Sequence, residues 1–170
     1  MRYYHLLIAL AVFTFDQMTK AAVEASIPLH DVHPVIPGLL QLTHVKNRGA
    51  AFGIFADAPS QAKLVLVVFL SVVALAVVVT LLWRNHPGAK RTGVGLALIL
   101  GGAVGNLFDR LVHGSVVDFA EFYLGNYHFP VFNVADSAIV IGATLLLLDM
   151  MLSRPVESES VLESPAQSPE

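Results

Sequence analysis

LVLVVFLSVVALAVVVTLLW, residues 64–83, is twenty residues without a charge, closed by Lys63 before it and Arg84 after it. The hydrocarbon core of a bilayer is about 30 Å thick and is crossed by about 20 mostly apolar helical residues. The stretch therefore reads as a transmembrane helix. Three further segments follow on either side. Residues 92–108 end against Asp109 and Arg110, and residues 131–148 are interrupted only by Asn133 and Asp136. Residues 3–15 are apolar and, continued as a helix to about Val23, carry Asp16 and Lys20 at their far end. The expected fold is an all-α polytopic membrane protein with four transmembrane helices, at about 3–23, 64–83, 92–110 and 131–151. A cleaved signal peptide is the competing reading of the first segment. Asp16 and Lys20 stand where a small-residue cleavage site belongs, and three more spans follow, so a retained helix is expected.

Composition agrees. Of 170 residues, 55% are apolar and 14% charged, with a mean hydropathy of +0.68. A soluble domain averages about 25% charged residues. Too few charges remain here to solvate a globular surface, which excludes a soluble enzyme. The net charge of −3 misleads, because residues 155–170 hold four Glu and no basic residue; without them ten basic residues face nine acidic ones. No basic patch is dense enough for nucleic acid. Cysteine is absent, which removes disulfides, Cys-ligated zinc, iron–sulfur clusters and a thiol nucleophile together.

Four spans return the chain to the side on which it began. Arg84, Lys90 and Arg91 lie in the short loop between the second and third spans, and Arg2 and Arg154 fall on the same side. The long loop 24–61 has only Lys46 and Arg48. The positive-inside rule then puts both termini in the cytoplasm. In the long outer loop Leu40, Leu42 and His44 alternate with Gln41, Thr43 and Val45, and Asn47-Arg48-Gly49 is a turn signal. Strands are expected again around 116–122 and 127–129, about a Gly125-Asn126 turn, giving a small antiparallel β-sheet in the extracytoplasmic loops. Pro59 and Ser60 read as the opening of a short helix leading into the second span. Residues 1–154 form a single membrane-embedded catalytic domain on this reading. Residues 155–170, rich in Ser, Pro and Glu, form a disordered cytoplasmic tail.

Ionisable residues within spans are costly and by default suggest function. In this orientation Asp16 and Lys20, then Asn106, Asp109 and Arg110, then Asn133 and Asp136 all fall at the outer ends of their spans, with Asp118 eight residues after Arg110. The polar groups share one depth, at the outer edge of the bilayer. Asp149, at the inner edge, reads as a helix-end residue facing water. Asp16 and Lys20 are i,i+4 with the acid first, which suits an ion pair. Asn106 and Arg110 share a helix face by the same spacing, and Asn133 and Asp136, at i,i+3, project together. Ala97, Gly101, Gly105 and Asp109 form a small-residue row that lets a neighbouring helix approach closely. That row is expected to bring the third and fourth spans together near Asp109, Asp118 and Asp136.

A serine nucleophile needs a base within reach, and no Ser is paired with a convincing His. The seven His are scattered and no HExxH occurs. His30 and His33 lie three apart in a proline-broken loop, a weak basis for a metal site. Neither a metal nor a cofactor is expected. Paired carboxylates offer another route. Two that are close cannot both ionise cheaply, so one stays protonated as acid while the other activates water as base. Asp118 and Asp136 are the natural pair: each borders a span and neither has a basic residue near it in sequence, whereas Asp109 has Arg110 beside it. Structural readings stand beside these. Asp16–Lys20 suits a buried ion pair that orients helices. Asp109–Arg110 stands between helix-end anchoring and substrate contact. Asp118 alone also fits an ordinary loop acid. Asp136 also suits the positive end of a helix dipole.

At these residues the sequence resembles the bacterial lipoprotein signal peptidases, signal peptidase II. The likeness runs through DQMTK at 16–20, NRGAAF at 47–52, GGAVGNLFDR at 101–110, VVDF at 116–119 and FNVADS at 132–137, and covers nearly the whole chain except the tail. Arg48 departs from it, since the family often has Thr there. The resemblance implies an intramembrane aspartic endopeptidase. Such an enzyme cuts the signal peptide from prolipoproteins just before a cysteine already carrying diacylglycerol. It implies Asp118 and Asp136 as the catalytic pair, with Asn106, Arg110 and Asn133 orienting substrate or dyad. Asp16, Lys20, Asn47 and Asp109 become scaffold or substrate-binding residues. It also implies membrane lipid and diacylglyceryl-modified prolipoproteins as partners, block by the cyclic peptide globomycin, a small outer-loop sheet that cradles the lipoprotein with a short helix as a lid, and a place in the bacterial inner membrane; a monomer is expected.

Two rival classes make different demands. A small proton- or ion-coupled transporter would distribute acids through the bilayer thickness, with broken helices at the midplane; here the acids gather at one edge. A noncatalytic assembly subunit would explain the glycines but not two carboxylates at the outer edge.

Overall fold

A computed structural model of the protein describes residues 3–49, 60–86 and 88–152, without the side chain of Ser60. The expected lid helix, the 50–52 end of the NRGAAF motif, Arg2, Pro59, Arg154 and the acidic tail lie outside the described residues. Four helices carry the chain: α1 (Tyr3–Ser26), α2 (Ser60–Arg84), α3 (Lys90–Val112) and α4 (Val134–Leu152). All four are long and apolar enough to cross a membrane. α1, α2 and α3 overrun the expected spans by up to four residues, because polar ends such as Glu24-Ala25-Ser26 and Lys90-Arg91 continue the helix, whereas α4 begins three residues after the expected 131, since Phe132 pairs with β3 and Asn133 caps the helix.

α3 is the axis of the bundle and packs against each of the other three helices. Its glycines make that possible, by a different division of labour from the expected one. The row Ala97, Gly101, Gly105, Asp109 closes chiefly on α1, with Gly105 also touching Ala135 of α4. A Cβ at Gly101 would stand 2.6 Å from the Ala9 carbonyl, and one at Gly105 would stand 2.6 Å from Asp16 Oδ2. The approach of α4 uses the neighbouring face, one residue or about 100° round the helix. There Gly102 lies against the Ala135 carbonyl and Ile139, and Gly95 and Gly142 face each other's backbone oxygens. Small residues on two adjacent faces thus let one helix carry two close neighbours. Away from the polar end the bundle is sealed by Ala9, Leu82, Leu96 and Leu100, with Leu75, Val78, Val104 and Leu146 around them.

The strands form one antiparallel sheet in the order β1 (Val32–Ile36), β2 (Leu40–Asn47), β3 (Val116–Leu124), β4 (Tyr127–His128). β2 carries an irregularity between Leu42 and Val45, and both residues within it, Thr43 and His44, are buried. His44 Nδ1 lies 2.8 Å from the Ile27 carbonyl, and the His44 carbonyl accepts the His30 N–H at 2.9 Å, so the sheet is tied to the end of α1. Val23 of α1 and Ile27 just after it pack against Val117, Leu42 and Phe119 on that side. On the other side the segment entering α4 joins β3. The Phe132 carbonyl accepts the Phe119 and Ala120 N–H groups at 3.0 and 2.8 Å, and the Phe132 N–H returns to the Ala120 carbonyl at 2.9 Å. Asp118 is thereby held within one residue of a backbone bridge to the start of α4.

Candidate active site

Asn133 is the N-cap of α4. Its side-chain oxygen accepts the Asp136 N–H at 2.9 Å, and Asp136 Oδ2 accepts the Asn133 N–H at 3.3 Å. This reciprocal capping satisfies two backbone donors that a helix start otherwise leaves open. The same amide turns its Nδ2 outward and donates to Asp118 Oδ1 at 2.7 Å. One asparagine therefore fixes Asp136 through the helix it starts and Asp118 through its side chain. A second amide brackets the pair: Asn106 Nδ2 donates to Asp136 Oδ1 at 2.8 Å, and its own oxygen accepts from Asn133 Nδ2 at 3.3 Å. A third, Asn47 at the end of β2, donates to Asp118 Oδ2 at 2.9 Å. The Asn47 oxygen accepts the Gly49 N–H at 2.8 Å, and Gly49 has φ +96°, a turn conformation that glycine adopts without strain.

Behind the amides lies a buried ionic cluster. Lys20 Nζ donates to Asp16 Oδ2 at 2.7 Å, Asp109 Oδ2 at 2.5 Å and Asn106 Oδ1 at 3.1 Å. Asp16 Oδ1 accepts the Ala135 N–H at 2.9 Å, another open donor in the first turn of α4. Asp16, Lys20 and Asp109 are all nearly fully buried. Two carboxylates on one ammonium, with hydrogen bonds filling the remaining positions, is the arrangement in which buried charge is tolerated. Asp109 thus pairs with Lys20 and not with Arg110, its sequence neighbour, since i,i+1 side chains on a helix do not face each other. Arg110 Nη1 donates to the Asn106 carbonyl at 3.1 Å, while its Nε is buried with no partner among the described residues. Its charge stands in the field of Asp136, Asp118 and Asp109.

Burial pushes the Asp118 carboxyl up to about 6. The hydrogen bonds from Asn47 and Asn133 and the charge of Lys20 oppose the rise, and the charge of Asp136 adds to it. The charge of Asp136 therefore reaches Asp118, as in a carboxylate pair of which one member holds a proton while the other is ionised. From Asp136 an apolar groove of about 310 Å³ runs along α4, lined by Phe132, Ser137, Val140 and Ile141.

The nine side chains singled out from sequence, Asp16, Lys20, Asn47, Asn106, Asp109, Arg110, Asp118, Asn133 and Asp136, all fall in this one network. Gln17 was missed. Its Nε2 donates to Asp109 Oδ1 at 3.0 Å and to Asp16 Oδ2 at 3.3 Å, so it bridges the two acids, sharing the Asp16 oxygen with Lys20 and taking the other oxygen of Asp109. A polar residue within a span, three before Lys20, was the available signal. At the inner end Asp149 does not simply face water: it accepts from Thr92 Oγ1 at 2.5 Å and ties α4 to α3. Among the described residues no three His, Asp or Glu side chains are grouped to hold a metal ion.

Four apolar helices, a small sheet at one end and a buried network of amides and carboxylates where they meet define a polytopic membrane protein with an enzyme-like polar site. The family described as signal peptidase (SPase) II matches residues 8–152. A lipoprotein signal peptidase of Solibacter usitatus is 42% identical over 144 residues, covering 85% of this chain and 88% of that one. One of Bacillus pumilus is 39% identical over 157 residues, covering 92% and 98%. A solved bacterial membrane enzyme, obtained by the in meso method, superposes with a TM-score of 0.80 at 31% identity over 94% of each chain. The chain belongs to the signal peptidase II family, and it is a multi-pass bacterial membrane protease.

Proposed function

We propose that this membrane endopeptidase removes the signal peptide from diacylglyceryl-modified prolipoproteins, with Asp118 and Asp136 as the water-activating pair. Family membership supports the substrate class: relatives of about this length are lipoprotein signal peptidases. What supports the dyad most directly is Asn133, one side chain bonded to both carboxyl residues at the same end of the four spans. One carboxylate takes a proton from water as the hydroxide oxygen bonds to the scissile carbonyl carbon. The other, protonated, gives its proton to the carbonyl oxygen, leaving a tetrahedral diol. Collapse breaks the C–N bond as the leaving nitrogen takes a proton from the first carboxyl and a hydroxyl proton returns to the second. The products are the peptide's new carboxyl end and the free amine of the lipidated cysteine, and the pair is again singly protonated. Arg110, whose buried Nε–H has no partner among the described residues, is suited to hold a substrate oxygen. Asn47, Asn106 and Asn133 orient the dyad, while Asp16, Lys20 and Asp109 hold the start of α4 beneath it.

The site lies at the outer leaflet in this account, with both termini cytoplasmic and the sheet outside. A lipid-modified cysteine keeps its acyl chains in one leaflet, so the scissile bond sits at that leaflet's polar boundary, where a dyad at the spans' ends can meet it. Globomycin-type peptides compete there, and the working unit is a monomer of residues 1–154. The test is cleavage of a diacylglyceryl-modified prolipoprotein by the purified protein, read by mass, beside an ion-flux assay in vesicles. Release of a signal peptide ending just before the modified cysteine, without flux, is expected. Flux without cleavage would favour a transporter.

A further inference from the structure

Along β3 alternate side chains share a face. Asp118, Ala120, Phe122 and Leu124 lie on one, and Glu121 and Tyr123 on the other. The second face is satisfied: Gln41 Nε2 donates to Glu121 Oε2 at 2.6 Å, His128 Nδ1 is 2.9 Å from Glu121 Oε1, and Tyr123 Oη accepts the Gly38 N–H at 2.8 Å. The first face begins at the dyad and then becomes apolar. Leu124 pairs with Tyr127 across the turn, and the Phe129 N–H donates to the Phe122 carbonyl at 2.9 Å. The hairpin is thus amphipathic, yet its apolar side is open: Phe122 is 41% exposed, Leu124 71%, Tyr127 64% and Phe129 49%.

We infer that this hairpin, residues 116–129, is a membrane anchor whose apolar face dips into the lipid interface beside α4. Tethering and continuity argue for lipid as the occupant. The hairpin hangs between α3, which ends at Val112, and α4, which begins at Val134, so both its ends are fixed at the ends of spans. Phe122 stacks on Phe132 at 5.6 Å, and Phe132 lines the groove that continues along α4 through Val140 and Ile141, themselves 64% and 54% exposed. Apolar surface therefore extends from the exposed side of α4, past Asp136 and Ser137 at the groove's edge, onto the hairpin. Tyr127 suits the headgroup level, where its apolar ring body and polar tip are both accommodated, and Phe122 and Phe129 add apolar area beside it. Because Asp118 lies on the same strand face, anchoring the hairpin also fixes the depth of that carboxyl in the interface. The inference rests on the four spans and not on the dyad's chemistry.

Trp83 is the chain's single tryptophan, so Trp83→Phe gives a silent background. Into it go Tyr127→Trp on the apolar face or, as a control, His128→Trp on the other. The full chain is reconstituted in phosphatidylcholine/phosphatidylglycerol vesicles whose acyl chains carry bromine near the headgroup, with iodide as aqueous quencher. Tyr127→Trp should emit to the blue of His128→Trp, be quenched several-fold more by the bromolipid, and be shielded from iodide. Iodide access equal to that of the control, without bromolipid quenching, overturns the anchor. Shielding from both quenchers that grows with the protein-to-lipid ratio means a second copy covers the face, and overturns it as well. The readout needs no turnover: adding Asp118→Asn should leave it unchanged, so failure of the proposed function and failure of the anchor are separable.

Discussion

Asn133 carries more of this site than its size suggests. It caps α4, positions Asp136 and donates to Asp118. Loss of an N-cap costs about 0.5–2 kcal/mol, so Asn133→Ala should lower the melting temperature modestly while lowering kcat far more, as one Asp118 oxygen loses its donor. Comparing thermal melts with turnover checks this. Lys20→Met leaves Asp16 and Asp109 buried without a counter-charge, a loss of about 3–5 kcal/mol; it should reduce the yield of folded protein in detergent, where Asn133→Ala does not. Asp118 sets the pH response. Its carboxyl lies near 6 in the folded protein against an ordinary 3.8, so folding favours the protonated form. The stabilisation is full below about 4 and is lost as pH rises through about 6. Melting temperature should fall across that window, and Asp118→Asn should flatten the fall. If Asp118 holds the shared proton, turnover should also decline as pH passes about 6, with apparent values that belong to the pair. Asn47→Ala removes a donor to the ionised form and should move that limb to higher pH.

At the scale of the elements, α3 holds the polar end together by letting α1 and α4 approach on adjacent faces. A Cβ at Gly102 meets the Ala135 carbonyl in the first turn of α4, whereas one at Gly88 meets nothing within 4 Å. Overpacking of this kind costs about 1–3 kcal/mol. Gly102→Ala should lower both melting temperature and kcat, since it pushes on the turn that bears Asp136, and Gly88→Ala should change neither. These helices and the strands were legible in sequence, because twenty uncharged residues or a polar–apolar alternation leave few alternatives. Which glycine row meets which helix was not. Gly101 and Gly102 differ by one residue, and only packing tells their faces apart. The pairing of Asp109 was obscured for a related reason: Arg110 is adjacent in the chain, while Lys20 is 89 residues away and opposite in space. Gln17 stayed hidden because its partners lie on two helices.

For the molecule as a whole, the account sets the sheet, the dyad and the anchor hairpin on the outer face and both termini inside. The chain has no cysteine, so a single Val35→Cys in exposed β1 or a cysteine added after Glu170 reports sidedness cleanly. In intact inner-membrane vesicles of known orientation, an impermeant maleimide should reach the first only from the outer side and the second only from the cytoplasmic side. The reverse pattern inverts the orientation.

The claim on which the rest depends is that Asp118 and Asp136 together activate water. Its most direct measurement is turnover of a diacylglyceryl-modified prolipoprotein by Asp118→Asn and by Asp136→Asn, beside the parent protein, at matched folded concentration judged by thermal melts. Each substitution keeps the size of the side chain and removes its titrating proton. The account predicts that both variants fold and that each loses about 10³-fold or more of its turnover, in line with the loss of a positioned acid or base. A folded variant of either kind that retains a substantial fraction of parent activity would contradict it.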